Sequence, residues 1–168
     1  MEVSIKYIDS VAPPWEYLTF GPWIYLVPQF NPESVLMLGY SGGTVAGLIR
    51  LLYGDETKIT GVDIEKCEPT YDSTIIQANA ENYVREADLH EVVVVDMWQQ
   101  DQIEPVEFVS CQKFAKQLKR IGDYLILHVT ENTDMSAYSE LHLVKKLSLN
   151  KSVFYYYMNR RVARLPIR

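Results

Sequence analysis

The sequence predicts an α/β domain built on a mostly parallel, doubly wound sheet, and three observations carry that prediction. Apolar runs such as SVLMLGY and HEVVVVDMW are continuous rather than alternating, as strands buried on both faces require. They are separated by segments whose apolar residues recur at helical spacing, the pattern of parallel strands joined by crossovers. A glycine turn, GYSGG, follows the first apolar run, and an acid stands near the end of the second. Ligands in open α/β sheets bind at such strand ends.

The elements follow in chain order. Residues 1–33 are rich in proline and aromatics, and Pro13, Pro14, Pro22, Pro28 and Pro32 forbid one long helix. This segment is read as a wrap around the core, with a short helix from Pro22. Residues 34–168 are read as the ligand-binding domain. SVLMLGY is the first strand. GGTVAGLIRLLYG is a helix, with Val45, Leu48, Ile49 and Leu52 on one face and Gly54 closing it. KITGVDIE, STIIQANA and HEVVVVDMW are the second, third and fourth strands. PVEFVSCQKFAKQLKRIG reads as a helix starting at Pro105, with Cys111, Phe114, Ala115 and Leu118 on its buried face and Gly122 at its end. DYLILHVT is the fifth strand, and TDMSAYSELHLVKKL a helix capped by Thr133 or Asp134. KSVFYYYM and VARLPIR are strands of a closing antiparallel hairpin turned at NRR, which brings the sheet to about seven strands.

Composition narrows the function classes. A chain of 168 residues is one domain's worth and long enough for a real core. A net charge of −6 disfavours nucleic acid and anionic membrane as partners, and RRVAR is read as a strand edge. No apolar stretch is long enough to span a membrane, and the start lacks the layout of a signal peptide. Cys67 and Cys111 form no metal-type spacing and fit a reducing compartment. The expectation is a cytoplasmic protein acting on a small molecule, without a metal.

The turn defines the candidate site. Gly39, Gly42 and Gly43 let backbone approach a ligand. Asp63 lies 24 residues after Gly39, where a carboxylate can accept both hydroxyl hydrogens of a ribose. The spacing G-x-x-G-G is neither the dinucleotide fingerprint nor a phosphate loop. Asn79 ends the third strand, where an amide oxygen can accept from an adenine amino group, and Asp96 ends the fourth.

VLMLGYSGG, VDIE, NAENYV and VDMWQQDQIEP occur in an order that resembles the class I S-adenosylmethionine-dependent methyltransferase superfamily, its spermidine synthase-like branch in particular. Members of that branch read VLVLG-x-G-x-G, VEID, DAREYL and VDAFD-x-D-x-IP. The resemblance covers residues 34–168, and the closing hairpin VFYYYMNRRVARLPI is similar too. It implies a Rossmann-like methyltransferase fold and S-adenosylmethionine, or its decarboxylated form, as cofactor. It implies Gly39, Ser41, Gly42 and Gly43 around the methionine end, Asp63 for the ribose, Ile64 against the adenine face, and Asn79 with Ala80 at the adenine rim. Asp96 matches the first acid of the active-site pair, with Asp101 assisting and Trp98 and Gln99 facing the substrate.

The implied function is a small transferase, moving a methyl group to a small amine-type acceptor. Two departures keep other readings open. The second acid of the pair is replaced by Gln99, and glutamine is no base. Only KCEPTYD links the second and third strands, where the family has a helix. Seven extended residues span roughly 23–25 Å, enough to return but not to hold a helix. The alternatives are an aminopropyltransferase using decarboxylated S-adenosylmethionine, and a non-catalytic nucleoside-binding or dimerisation module. The shortened link leaves one sheet face partly bare, to be covered by the N-terminal wrap or by a second copy in a homodimer. His90, His128 and His142 are dispersed and are read as structural. Tyr17 and Tyr155 to Tyr157 are read as packing residues.

Overall fold

The computed structural model describes residues 22–99 and 104–163. Seven strands form one sheet: β1 (Ser34–Leu38), β2 (Lys58–Asp63), β3 (Ser73–Gln77), β4 (His90–Val95), β5 (Gly122–Thr130), β6 (His142–Leu149) and β7 (Ser152–Met158). Their order is β3-β2-β1-β4-β5-β7-β6. The first five run parallel, and β7 lies antiparallel between β5 and β6. The expected α/β class and strand number are therefore observed.

Alternation along each buried strand feeds two cores. On one face Val35, Met37, Val92, Val94 and Ile126 meet α1 (Thr44–Tyr53) and a 3-10 turn, Pro22–Leu26. Trp23, Leu26 and Val27 of that region are buried there, and Tyr156 Oη donates to the Tyr25 carbonyl at 2.5 Å. Residues 22–27 thus pack on this face of the sheet, while residues 1–21, Tyr17 included, lie outside the described residues. On the other face Leu36, Leu38, Val93, Val95, Leu125 and Leu127 meet α2 (Ala80–Tyr83) and α3 (Gln112–Ile121). Within α1, Leu52 departs from expectation: it is 48% exposed, like Leu51 at 49%, because the buried part of the helix ends at Ile49.

The segment expected as one helix from Pro105 is broken. A 3-10 turn covers Glu107–Ser110, Cys111 is extended and exposed, and α3 begins at Gln112. Val109 lies nine residues before Leu118, about half a turn off its stripe in a continuous helix. The break lets both be fully buried. It also aims the Val109 carbonyl at Tyr138 Oη, which donates to it at 2.7 Å. Burial pushes the Tyr138 phenol well above its ordinary range.

The next expected helix is absent as well. Only Ser136–Tyr138 forms a 3-10 turn, and His142–Leu149 is β6. Pairing with β7 overrides the helical spacing: Lys145 lies opposite Tyr156 and Lys146 opposite Tyr155, each ammonium over the facing ring at 5.6 and 5.3 Å. His142 therefore sits on an edge strand. The antiparallel hairpin falls one element earlier than expected, turning at Asn150 with φ 55°. The NRR segment begins a short helix, α4 (Arg160–Ala163), with Asn159 Oδ1 accepting from the Arg161 amide at 3.3 Å. RRVAR is thus no strand edge over its described residues.

No helix joins β2 to β3, as expected from KCEPTYD. Tyr40 takes the vacated place. Its ring lies on Gly61, where a Cβ would collide with it, and its hydroxyl bonds the Thr70 carbonyl and Oγ1 at 2.9 Å each. The link then reverses through Tyr71 and Asp72, both at positive φ. Arg50 of α1 donates to their carbonyls at 2.9 and 3.0 Å. Replacing Tyr40 with Phe removes the hydroxyl but keeps the ring. It should cost about 1–2 kcal/mol, read as a lower urea midpoint, and expose residues 64–72 to protease; an unchanged midpoint would show that the link is held without Tyr40.

Candidate functional site

The strand order reverses between β1 and β4, and a cleft of about 1340 Å³ opens beyond their carboxyl ends. Of the sequence-predicted residues, Gly39, Ser41, Gly42, Asp63, Ile64, Asn79, Ala80, Asp96, Trp98 and Gln99 all line it. Gly43 does not; it caps α1 at φ 80°. Asp101 lies outside the described residues.

One half of the cleft is built on the glycine turn. Gly39 has φ 89°, and a Cβ there would collide with the Asp96 carbonyl oxygen. Ser41 holds φ 49°, a left-handed conformation that costs roughly 1–2 kcal/mol for a residue with a Cβ. Asp63 offsets that cost. Its Oδ2 accepts from the Tyr40 and Ser41 amides at 2.9 and 3.0 Å, and its Oδ1 from the Glu65 amide at 3.0 Å. A carboxylate has about four lone-pair sites, so these three bonds leave capacity for one hydroxyl hydrogen. Taking both from a ribose would require Asp63 to release a turn bond. Ile64, 68% exposed, presents a bare apolar face to the cleft beside it. Asn79 caps α2, its Oδ1 accepting from the Asn82 amide at 3.3 Å, and Ala80 is buried behind it.

The other half is a polar cluster at the ends of β4, β5 and β7. Asp96 Oδ1 accepts from Trp98 Nε1 at 2.7 Å and faces His128 Nδ1 at 2.8 Å. His128 Nε2 faces Ser152 Oγ at 2.9 Å. A carboxylate only accepts, so Nδ1 carries a proton, and in the neutral imidazole Nε2 then accepts from the Ser152 hydroxyl. The imidazole is stacked on Phe154 (4.4 Å, 13°) and met edge-on by Trp98 (4.6 Å, 65°). His128, Ser152, Thr130 and Lys151 also line the cleft. Gln99 is turned to its own loop, with Nε2 donating to the Pro105 carbonyl at 3.4 Å.

His128 and Ser152 were not among the sequence candidates. Ser152 reaches the carboxyl end of β5 through the register Thr130↔Ser152 and His128↔Phe154. Only that register brings it to the histidine. Strand alternation in DYLILHVT was a usable signal, because it puts His128 on one face with Ile126, close to a strand end.

No family model and no curated protein matches the sequence. Solved structures do match. A SAM dependent methyltransferase from Aquifex aeolicus superposes with TM-score 0.57 at 14% identity, covering 92% of this chain and 93% of that one. The fold is the Rossmann-like methyltransferase fold. A chain of a fibrillarin/Nop5p complex gives TM-score 0.58 at 15% identity, over 94% of this chain and 91% of the other. Fibrillarin from Aeropyrum pernix, with natively bound S-adenosyl-L-methionine, gives 0.52 at 14%, over 76% and 66%. At these identities the likeness extends to the fold alone. Among the described residues, no group of three histidine, cysteine or acidic side chains could hold a metal ion, and no helix is long and apolar enough to cross a membrane.

The grip of Asp63 on the turn has a direct readout. Asp63→Asn replaces a charged double acceptor and should raise the hydrogen-exchange rates of the Tyr40 and Ser41 amides by about ten- to a hundredfold, the size expected for losing charge-assisted bonds. Equal rates in both proteins would show that the turn keeps its shape unaided.

Proposed function

We propose that the chain is an S-adenosylmethionine-dependent transferase that moves a methyl group to a small acceptor. One observation carries the reading: a single cleft joins the glycine turn and Asp63 to the Asp96–His128 cluster, with the Gly39 backbone against the Asp96 carbonyl. The fit to the cofactor rests on three features. Gly39 leaves a cradle that a Cβ would fill, Asp63 keeps one acceptor site, and Ile64 exposes an apolar face suited to a base. Gly39, Ser41 and Gly42 would hold the methionine end, Asp63 a ribose hydroxyl, and Ile64, Asn79 and Ala80 the adenine.

When bound, the cofactor supplies an activated methyl on a sulfonium. The chain's own contribution is to hold the acceptor against the Asp96 side of the cleft, converting a bimolecular encounter into a positioned one. Trp98 and Phe108 give that side planar apolar walls. The net charge of −6 supports a small molecule over a nucleic acid as acceptor. Aminopropyl transfer is the second reading, favoured by Asp96 at the first acid position of the polyamine branch. Gln99, whose amide is engaged with the Pro105 carbonyl, weighs against it.

Calorimetric titration with S-adenosylmethionine, its decarboxylated form, methylthioadenosine and NAD tests these readings. S-adenosylmethionine should bind with micromolar affinity and ahead of the decarboxylated form. Asp63→Ala should weaken it by at least about tenfold, the worth of one charge-assisted bond. Preference for the decarboxylated form would favour aminopropyl transfer, and silence with all four would leave a non-catalytic module.

A further inference from the structure

We propose that Ser152, His128 and Asp96 form a proton relay that takes the hydrogen from a hydroxyl group of the acceptor. The inference rests on the transferase reading and names the acceptor chemistry within it. Each member comes from a different strand end: Asp96 follows β4, His128 lies in β5 and Ser152 opens β7. The relay is oriented in one direction. Asp96 fixes the proton on Nδ1 at 2.8 Å, which leaves Nε2 as acceptor for the Ser152 hydroxyl at 2.9 Å. Phe154 and Trp98 hold the ring between them, so the imidazole cannot turn to offer the cleft a different nitrogen without losing both bonds. Both ring nitrogens being occupied, an acceptor meets Ser152 Oγ and not the imidazole itself.

The step balances. The acceptor O–H bond would break as its oxygen takes the methyl group, while the methyl–sulfur bond of the sulfonium would break with its electron pair left on sulfur as a thioether. The acceptor proton goes to Ser152 Oγ, the proton of Ser152 passes to His128 Nε2, and the resulting imidazolium is stabilised by Asp96. Asp96 is then a positioning residue rather than the base that meets the acceptor. The same geometry selects hydroxyl over amine. A protonated amine is best held by a carboxylate, and Asp96 Oδ1 already accepts from both Trp98 Nε1 and His128 Nδ1. Lys151, beside Ser152 in the cleft lining, adds a positive charge that disfavours a cationic acceptor. A neutral hydroxyl can donate to Ser152 Oγ without meeting either obstacle.

The test has a part that needs no cofactor. Nitrogen-15 spectra of the histidines should show neutral His128 protonated on Nδ1, and Asp96→Asn should move that proton to Nε2. A wild-type proton on Nε2 would overturn the relay. Labelling of Ser152 by a fluorophosphonate would also overturn it, recasting that serine as a nucleophile. The second part uses S-adenosylmethionine with 4-aminophenol, which is uncharged at neutral pH and offers a hydroxyl and an amine in one molecule. The product should carry its new methyl on oxygen. His128→Asn should lower kcat by about a hundred- to a thousandfold, the range for a lost general base. Ser152→Ala should cost about tenfold, water standing in for its hydroxyl. Both variants should bind S-adenosylmethionine within about twofold of wild type, since neither touches the Asp63 side. Methyl on nitrogen, an unchanged kcat in His128→Asn, or no methylated product while the cofactor binds would each overturn the hydroxyl relay. Absence of S-adenosylmethionine binding to the wild-type protein would instead sink the transferase reading and leave the relay to be judged by its tautomer.

Discussion

The contact on which the site depends is one between two backbones. Gly39, at the end of β1, lies against the carbonyl of Asp96, at the end of β4, with no room for a side chain between them. These strands flank the point where the sheet order reverses. The close approach therefore fixes the distance between the two halves of the cleft. Any larger residue at position 39 would push the glycine turn away from Asp96, and with it Asp63, whose carboxylate is tied to the turn by the Tyr40 and Ser41 amides. The site has a rigid seam at its centre and side-chain variety only to either side.

Tyr40 explains how so short a chain keeps that seam covered. A crossover helix after β2 would normally pack on the sheet at this place. Here one aromatic ring lies flat on Gly61 and anchors the link through Thr70, while Arg50 satisfies the carbonyls of the reversal. The same residue donates its backbone amide to Asp63. Covering the sheet and shaping the turn are thus duties of a single position, so packing and site geometry are mechanically joined.

The parallel half of the fold was legible because its strands are buried on both faces and their apolar runs admit few readings. VLMLGYSGG followed by VDIE also located Gly39 and Asp63 in one cleft. In the C-terminal half, β5 and β7 were legible but the segments between and before them were not, for two physical reasons. HLVKKLSL owes its strand state to pairing with the tyrosines of β7, an interaction between segments that local spacing cannot register. The break at Cys111 serves Val109, whose burial depends on Tyr138. His128 looked structural for a related reason: its partners Asp96 and Ser152 are 32 and 24 residues away and meet it only through the strand register. Ile64 and Asn79 both line the cleft, and the capping duty of Asn79 becomes visible only once α2 has its boundaries.

Among the described residues, no strand pairs with the outer side of β6. A free strand edge offers unpaired amides and carbonyls to any extended segment nearby. Here the register shifts between Leu143 and Lys145, which interrupts the regular run of outward groups. Lys145 and Lys146 follow at once, their charges held above tyrosine rings instead of folded away. A newcomer aligning with this edge would meet a mismatched ladder. That mismatch at the edge works against the sheet growing from chain to chain, a different matter from the pairing with β7 that holds the strand in place.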